Sequence, residues 1–256
     1  MDLLPIWAIY GLTVVFTLLA IELGYWLGKA WQRRGPAEKE SNVGALAGAT
    51  LGLLAFMLAF TTGVAVNRFD NRRQLVVNEA NAIGTTYLRA GYLDEPHNQE
   101  IRDLLREYVD LRLAAVDMQD LSQALARAEE IHTALWSHAE SLARADPESE
   151  MVALFITSLN ETIDLHEVRY VAATAARLPS ALWFGLYAVT FLTMLLVGMQ
   201  ASYGPRQNIL ALVVLALVFA AVMLLIVDLD HAREGTLQVS QQAMIDLQRQ
   251  LHAAAP

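Results

Sequence analysis

The sequence predicts an all-α integral membrane protein with four transmembrane helices and a helical soluble domain inserted between the second and third. Three observations predict this fold class. Hydrophobic residues make up 55% of the 256 positions, and four apolar segments reach the roughly 20 residues needed to cross a bilayer. No stretch shows the strict alternation that is typical of a β-strand. The absence of cysteine excludes disulfides and thiolate metal sites.

The first predicted span covers about residues 4–28. It lacks the basic start and the small-residue cleavage site of a signal peptide, so we expect it to stay in the membrane. Glu22 lies inside it, and a carboxylate within a span is a functional candidate because it is costly to bury in lipid. Alternatively Glu22 has a structural role, either hydrated near the interface or paired with Lys29 or Arg206.

The second span, about residues 44–66, carries glycine at every fourth position. Small residues at this spacing allow another helix to approach closely in lipid, where packing drives association. We therefore expect helix packing here, either between subunits or within one chain. The three glycines are Gly44, Gly48 and Gly52.

Phenylalanines continue the same four-residue spacing along this span. Phe56 and Phe60 lie about 6 Å apart along a helix axis and only about 40° apart around it. Both rings can therefore face one lumen, where apolar constrictions gate by dewetting. Three basic residues mark the exit of the span and form the expected pore mouth, namely Arg68, Arg72 and Arg73.

The helical pattern then continues outward as a stalk. Glu79 lies on this stalk about two turns after Arg72 and Arg73. Two interpretations remain open for Glu79: a charge pair between neighbouring stalks, or a solvated helix face.

The soluble domain is predicted over residues 67–178. Amphipathic helices are indicated at about 101–111 and 121–142, and Asp146 followed by Pro147 indicates the start of a third. Seventeen acidic and seven basic residues lie between positions 94 and 177, which argues against nucleic acid as a partner. The third helix carries a four-three seam, on which we expect His166 to be a core residue. That seam comprises Val152, Ile156, Leu159, Ile163, His166 and Tyr170.

The third and fourth spans are predicted at about 180–200 and 208–227. The membrane part of the chain thus consists of two segments: residues 1–66 with the first two spans, and residues 179–228 with the last two. The remainder, 229–256, is an amphipathic tail that we expect to dock on the helical domain. Its apolar residues are Leu237, Met244, Leu247 and Leu251.

Several chemistries have no motif in this chain. The six histidines form no zinc-binding pattern, no glycine loop suits a phosphate, and no serine lies in a nucleophile elbow. The sequence therefore predicts no enzyme, no cofactor and no metal site. The distribution of lysine and arginine near the membrane slightly favours a cytoplasmic soluble domain, with both termini on the same side.

Three runs, RFDNRRQLVVNEANAIGTTYLRAGYL, REYVDLRL and DLDHAREGTLQVSQQAMIDLQ, resemble the bacterial bestrophin-like domain family of four-span membrane proteins. The chain is more loosely similar to bestrophins, which are pentameric ion channels that narrow their pore on the second span. The resemblance implies a homo-oligomer in the bacterial inner membrane, pentameric if it follows bestrophins. Gly52 departs from the bulky first residue of the bestrophin neck. Asp228 and Asp230 only partly match the acidic cluster of calcium-responsive bestrophins, so calcium control is not implied.

The sequence thus predicts an ion channel in the lipid bilayer that passes small ions, with anions slightly favoured. The alternative is a membrane sensor or scaffold whose helical domain binds a partner or a signal.

Overall fold

The computed structural model describes residues 5–33, 39–115, 121–174, 178–204, 209–231 and 235–253. All regular secondary structure in these ranges is helical, which confirms the predicted fold class. The helices are α1 (Ile6–Gln32), α2 (Lys39–Ala90), α3 (His97–Ala114), α4 (Leu121–Ala145), α5 (Glu150–Thr174), α6 (Ser180–Ala201), α7 (Ile209–Asp230) and α8 (Gln242–Ala253).

Four of these helices are long and apolar enough to cross a membrane, namely α1, α2, α6 and α7. They coincide with the four predicted spans. Helix α2 is the longest element, with 52 residues, and at ~1.5 Å per residue it extends roughly 78 Å. No proline interrupts it, so the second span and the stalk form one continuous helix.

The chain divides into two compact units. The first, here called the membrane unit, contains residues 1–69 and 176–238, and the second, the helical domain, contains residues 70–175 and 239–256. Helix α2 contributes its first part to the membrane unit and its second part to the helical domain. Each unit has its own hydrophobic core.

In the membrane unit, α1 and α6 approach each other through glycines. A side chain added at Gly24 would overlap the backbone of Leu195, and one added at Gly198 would overlap the backbone of Ile21. Gly28 is likewise covered by Ser202. Since close backbone contact in lipid requires small residues, these glycines are what permits the α1–α6 contact. This contact was not predicted from the sequence, because these glycines do not form a long regular stripe.

The core of the helical domain joins α3, α4, α5, α8 and the second part of α2. Its largest fully buried side chains include Ile83, Tyr108, Leu135, Phe155 and Leu159. The tail docks on this core as predicted, and Met244, Leu247 and Leu251 are buried there. The prediction for Leu237 is wrong: its side chain is 39% exposed because α8 begins only at Gln242.

Helix α5 differs from its prediction in where it begins and in which face it buries. It starts at Glu150, and the backbone N–H of Val152 donates to Ser149 Oγ at 3.4 Å, so Ser149 rather than Asp146 caps it. Burial extends beyond the predicted seam to Phe155, Ser158 and Thr162. The reason is that Thr162 also meets Thr86 of α2, with their hydroxyl oxygens 3.0 Å apart.

Candidate functional site

The predicted pore-lining phenylalanines lie on an exposed face of α2. Phe56 is 68% exposed and Phe60 is 59% exposed, so both rings point away from the rest of the chain. Leu54 and Thr61 occupy the opposite face of the helix and are buried. Within a single chain, the two rings are therefore available to line a shared pore or to contact another subunit.

The exposed face around these rings is built mainly from small residues. The exposed apolar residues of the other spans are mainly large: α1 exposes Leu12, Leu19 and Trp26. Helix α7 likewise exposes Leu210 and Leu217. Small residues favour helix contacts in lipid, so this face of α2 is suited to packing against protein. Its exposed small residues are Ala45, Gly48, Ala49, Gly52, Ala55, Ala59 and Gly63, and the large residues Leu46 and Leu53 are exposed beside them.

The glycine stripe of α2 has little packing inside the chain. A Cβ added at Gly48 or Gly52 meets no atom within 4 Å, whereas one added at Gly44 comes within 3.2 Å of the Gln200 side chain. Packing among the described residues thus does not explain Gly48 and Gly52. The contact between subunits stays a prediction.

The three arginines of the predicted pore mouth differ in exposure. Arg73 is exposed and Arg68 is half-buried, but Arg72 is only 6% exposed. A buried guanidinium contributes less to the potential of an aqueous mouth than an exposed one. Arg73 and Arg68 are therefore the two arginines available to the mouth.

Glu22, the predicted intramembrane charge, is exposed on the surface of α1. Its Oε1 accepts a hydrogen bond from Trp26 Nε1 at 2.8 Å. Lys29 instead lies over the Tyr25 ring, with its Nζ 5.6 Å from the ring centroid. The expected pairing with Lys29 is wrong because the indole one turn along the helix reaches the carboxylate. Arg206, the other expected partner, lies outside the described residues.

A buried charge cluster occupies the helical domain, and Glu79 of α2 is at its centre with 0% exposure. Arg112 donates to both of its carboxylate oxygens, from Nε at 2.9 Å and from Nη2 at 3.2 Å. Arg169 of α5 donates to Oε2 through Nη1, and through Nη2 to Gln241, the residue before α8, at 2.6 Å. Both interpretations of Glu79 as a stalk residue are wrong, because its partners belong to its own chain and it is shielded from solvent.

A hydrogen-bonded chain leads from His166 to Glu79. Tyr108 Oη lies 2.9 Å from Glu79 Oε1 and 2.9 Å from His166 Nδ1. The carboxylate accepts only, so the tyrosine proton points to Glu79 and the histidine must donate from Nδ1. His166 is therefore a satisfied core histidine, as predicted.

The protonation of the cluster follows from its burial and its charges. Burial by itself raises the pKa of Glu79, but Arg112 and Arg169 outweigh it, so the pKa lies below its ordinary value. His132 of α4 belongs to the cluster as well, with its ring centroid 4.9 Å from those of Tyr108 and His166. Burial lowers the pKa of His132 and of His166 to about 4, helped at both by the charge of Arg112. At neutral pH the cluster thus holds one carboxylate, two guanidiniums and two neutral imidazoles.

This cluster was not predicted from the sequence, although a signal was present. Glu79 follows Leu75 and Val76 and precedes Ala80 and Ile83, all buried positions of α2. A carboxylate on an apolar helix face indicates a buried charge that needs a partner.

Comparison with known proteins supports the resemblance found in the sequence. The profile of the bestrophin-like domain matches residues 14–244. The chain belongs to the bestrophin-like domain family. No curated protein sequence is significantly similar to it.

Solved structures show that this bestrophin-like protein has the bestrophin fold. Two crystal structures of a bacterial bestrophin homolog from Klebsiella pneumoniae, each with one substitution, give TM-scores of 0.69 and 0.67. Both are 17% identical in sequence to this chain, and each match covers 97% of this chain and 98% of the homolog. A third crystal structure, of a membrane protein with a single substitution, gives a TM-score of 0.70 at 17% identity over 97% of both chains.

The two aspartates at the end of α7 are used inside this bestrophin-like chain. Asp230 accepts from the backbone N–H of Leu178 at 2.9 Å. Asp228 accepts from the backbone N–H of Thr236 at 2.8 Å and from the Thr236 hydroxyl. A side chain at Gly235 would overlap Asp228, so glycine allows the chain to turn closely around this carboxylate. Both carboxylates therefore serve to fix chain segments to the end of α7.

Proposed function

We propose that this bestrophin-like protein is a homo-oligomeric ion channel whose pore is lined by α2. The observation that carries the proposal is the exposed face of this helix, where Phe56 and Phe60 stand among small residues. A face of this composition suits close contact between subunits, with the two rings directed towards a common axis. By resemblance to bestrophins, the proposed assembly is a pentamer in the bacterial inner membrane, with the helical domain and both termini in the cytoplasm.

In this assembly, symmetry repeats each phenylalanine into an apolar collar. The two collars would be separated by about 6 Å along the pore, since the residues are four positions apart on one helix. An apolar constriction of this kind empties of water when it is narrow, and ion passage then requires it to widen. Phe56 and Phe60 are thus the proposed gate.

The proposed selectivity slightly favours anions. Arg73 and Arg68 lie beyond the collars at the end of the membrane-spanning part of α2, where positive charge enriches anions. The acidic residues of the helical domain act in the opposite direction, so the preference is expected to be small.

Ion flux through liposomes tests the proposal directly. The wild type, Phe56→Ala, Phe60→Ala and the double variant are reconstituted, and efflux of chloride and of potassium is measured. Shortening the collars should increase the flux in each single variant and most in the double variant. A ratio of chloride to potassium flux above one would support the anion preference.

A matched control distinguishes a pore from a lipid-facing surface. Leu19 of α1 is 64% exposed and equally apolar, so Leu19→Ala should leave the flux unchanged. An equal increase in Leu19→Ala would mean that the phenylalanine variants act by general destabilisation. If no form passes ions while the helical domain binds one defined protein with fixed stoichiometry, the sensor or scaffold function replaces the channel.

A further inference from the structure

Three side chains that can bind metal meet at the start of α3 in the helical domain. His97 is the first residue of α3, Glu100 lies one turn further along the same helix, and His138 faces them from α4. The Nδ1 atoms of the two histidines are 3.0 Å apart, and His138 Nδ1 is 3.7 Å from Glu100 Oε2. All three ligand atoms lie within 4.8 Å of one another.

The packing of α3 against α4 holds these groups together. Ile101 follows Glu100, Ala139 follows His138, and both are buried in the core of the helical domain. Leu105 and Leu135 extend the same contact. The backbones that carry the three ligands are therefore held by the packing of α3 against α4.

The chemistry of the pair favours a cation between the rings. Two neutral imidazoles that face each other through Nδ1 share one proton, so only one of the two nitrogens acts as a donor. A bound cation instead accepts the lone pairs of both Nδ1 atoms, from His97 and from His138. Bonds of ~2.0–2.1 Å in a tetrahedral zinc site place ligand atoms about 3.3–3.4 Å apart, between the 3.0 Å and 3.7 Å found here.

We propose that His97, Glu100 and His138 bind a divalent transition-metal ion of the Zn²⁺ class. Two imidazoles and one carboxylate are a ligand set that zinc accepts, with a fourth position left for water. Imidazole also suits nickel and copper, whereas Mg²⁺ and Ca²⁺ prefer oxygen ligands alone. The Glu100 side chain is 55% exposed, so an ion can enter from solvent and leave again.

The consequence is a reversible cross-link between α3 and α4. An ion that binds the folded protein but not the unfolded chain raises the thermal midpoint. The expected rise is on the order of 5–10 °C when the free ion is at a hundredfold excess over Kd. The site is outside the membrane unit and does not depend on whether the protein conducts ions.

The test uses the full-length protein in detergent after chelator treatment. Zn²⁺ is titrated calorimetrically, and the thermal midpoint is measured with and without Zn²⁺. The wild type should bind one Zn²⁺ per chain at this site. His97→Ala and His138→Ala should each weaken binding at least tenfold, and Glu100→Gln should weaken it less.

His252→Ala is the matched control, because this exposed histidine of α8 pairs with Asp110, with its Nε2 3.2 Å from Oδ1. It should bind Zn²⁺ like the wild type. The thermal midpoint in chelator verifies that each variant folds. Absence of Zn²⁺ binding by the wild type, or wild-type affinity for Zn²⁺ in both His97→Ala and His138→Ala, would overturn the proposal and leave a hydrogen-bonded histidine pair.

Discussion

Glu79→Gln should destabilise the helical domain more than any surface charge change. The substitution keeps the shape of the side chain but removes the carboxylate that contacts both Arg112 and Arg169. It also replaces an acceptor oxygen by an NH₂ group that faces guanidinium donors. Two like charges then remain in a site that is shielded from water.

The magnitude follows from the burial of the cluster. Glu79 is 0% exposed and accepts four hydrogen bonds, three of them from guanidinium groups. Removing one partner of a buried ion pair is destabilising by about 3–5 kcal/mol, because the other charge stays buried without compensation. For a domain of this size, that loss corresponds to a midpoint lowered by roughly 10–20 °C.

Thermal unfolding of the purified protein measures the effect, and hydrogen exchange of peptides from α3 and α5 assigns it to the helical domain. Glu140→Gln is the control, since Glu140 forms an exposed pair with Arg144 at 3.0 Å and should leave the midpoint unchanged. Adding Arg169→Gln to Glu79→Gln removes one of the two uncompensated charges. The midpoint of the double variant should therefore fall by less than the sum of the decreases in the two single variants. A midpoint equal to the wild type in Glu79→Gln would refute the reasoning.

Two further predictions concern pH and helix packing. Because burial lowers the pKa of His132 and His166 from 6.5 to about 4, the unfolded chain takes up their protons first as the pH falls. The contribution of these two histidines to the free energy of unfolding should therefore be constant above pH ~6.5 and decrease from there to about pH 4. The decrease is at most about 1.4 kcal/mol per pH unit for buried His166, and it is smaller for half-buried His132. Equilibrium unfolding at several pH values measures this, and equal values at pH 7 and pH 5 would contradict it. Gly198→Leu should prevent normal folding of the membrane unit, since its side chain would overlap the Ile21 backbone, whereas Gly48→Leu should fold and lower only the assembly state seen by cross-linking. Wild-type cross-linking in Gly48→Leu would show that this glycine is not at an interface.

Local patterns predicted much of the architecture. Four apolar segments became four spans, and the uninterrupted pattern after the second span became the stalk of α2. The docking of Met244, Leu247 and Leu251 could also be predicted from the sequence, because an apolar face on a short helix must be covered. The error at Leu237 came from extending that face beyond the first residue of α8.

Exposure of Phe56 and Phe60 required the structure. Their spacing shows that they share a face of α2, but it does not show which face the rest of the membrane unit covers. In the single chain, the buried residues Leu54 and Thr61 show that the covered face of α2 is the one opposite the two phenylalanines.

The sequence by itself determined the helical class, the number of spans, the inserted domain and the family, because these depend on hydrophobicity, periodicity and motifs within continuous segments. Only the tertiary structure decided which charged and polar groups meet. Glu79 joins Arg112 from 33 positions away and Arg169 from 90 positions away, and His97 meets His138 from 41 positions away. Such pairs are fixed by which helices are neighbours and how they are rotated. A carboxylate on an apolar helix face indicates that a buried partner is needed, but no local pattern says which residue supplies it.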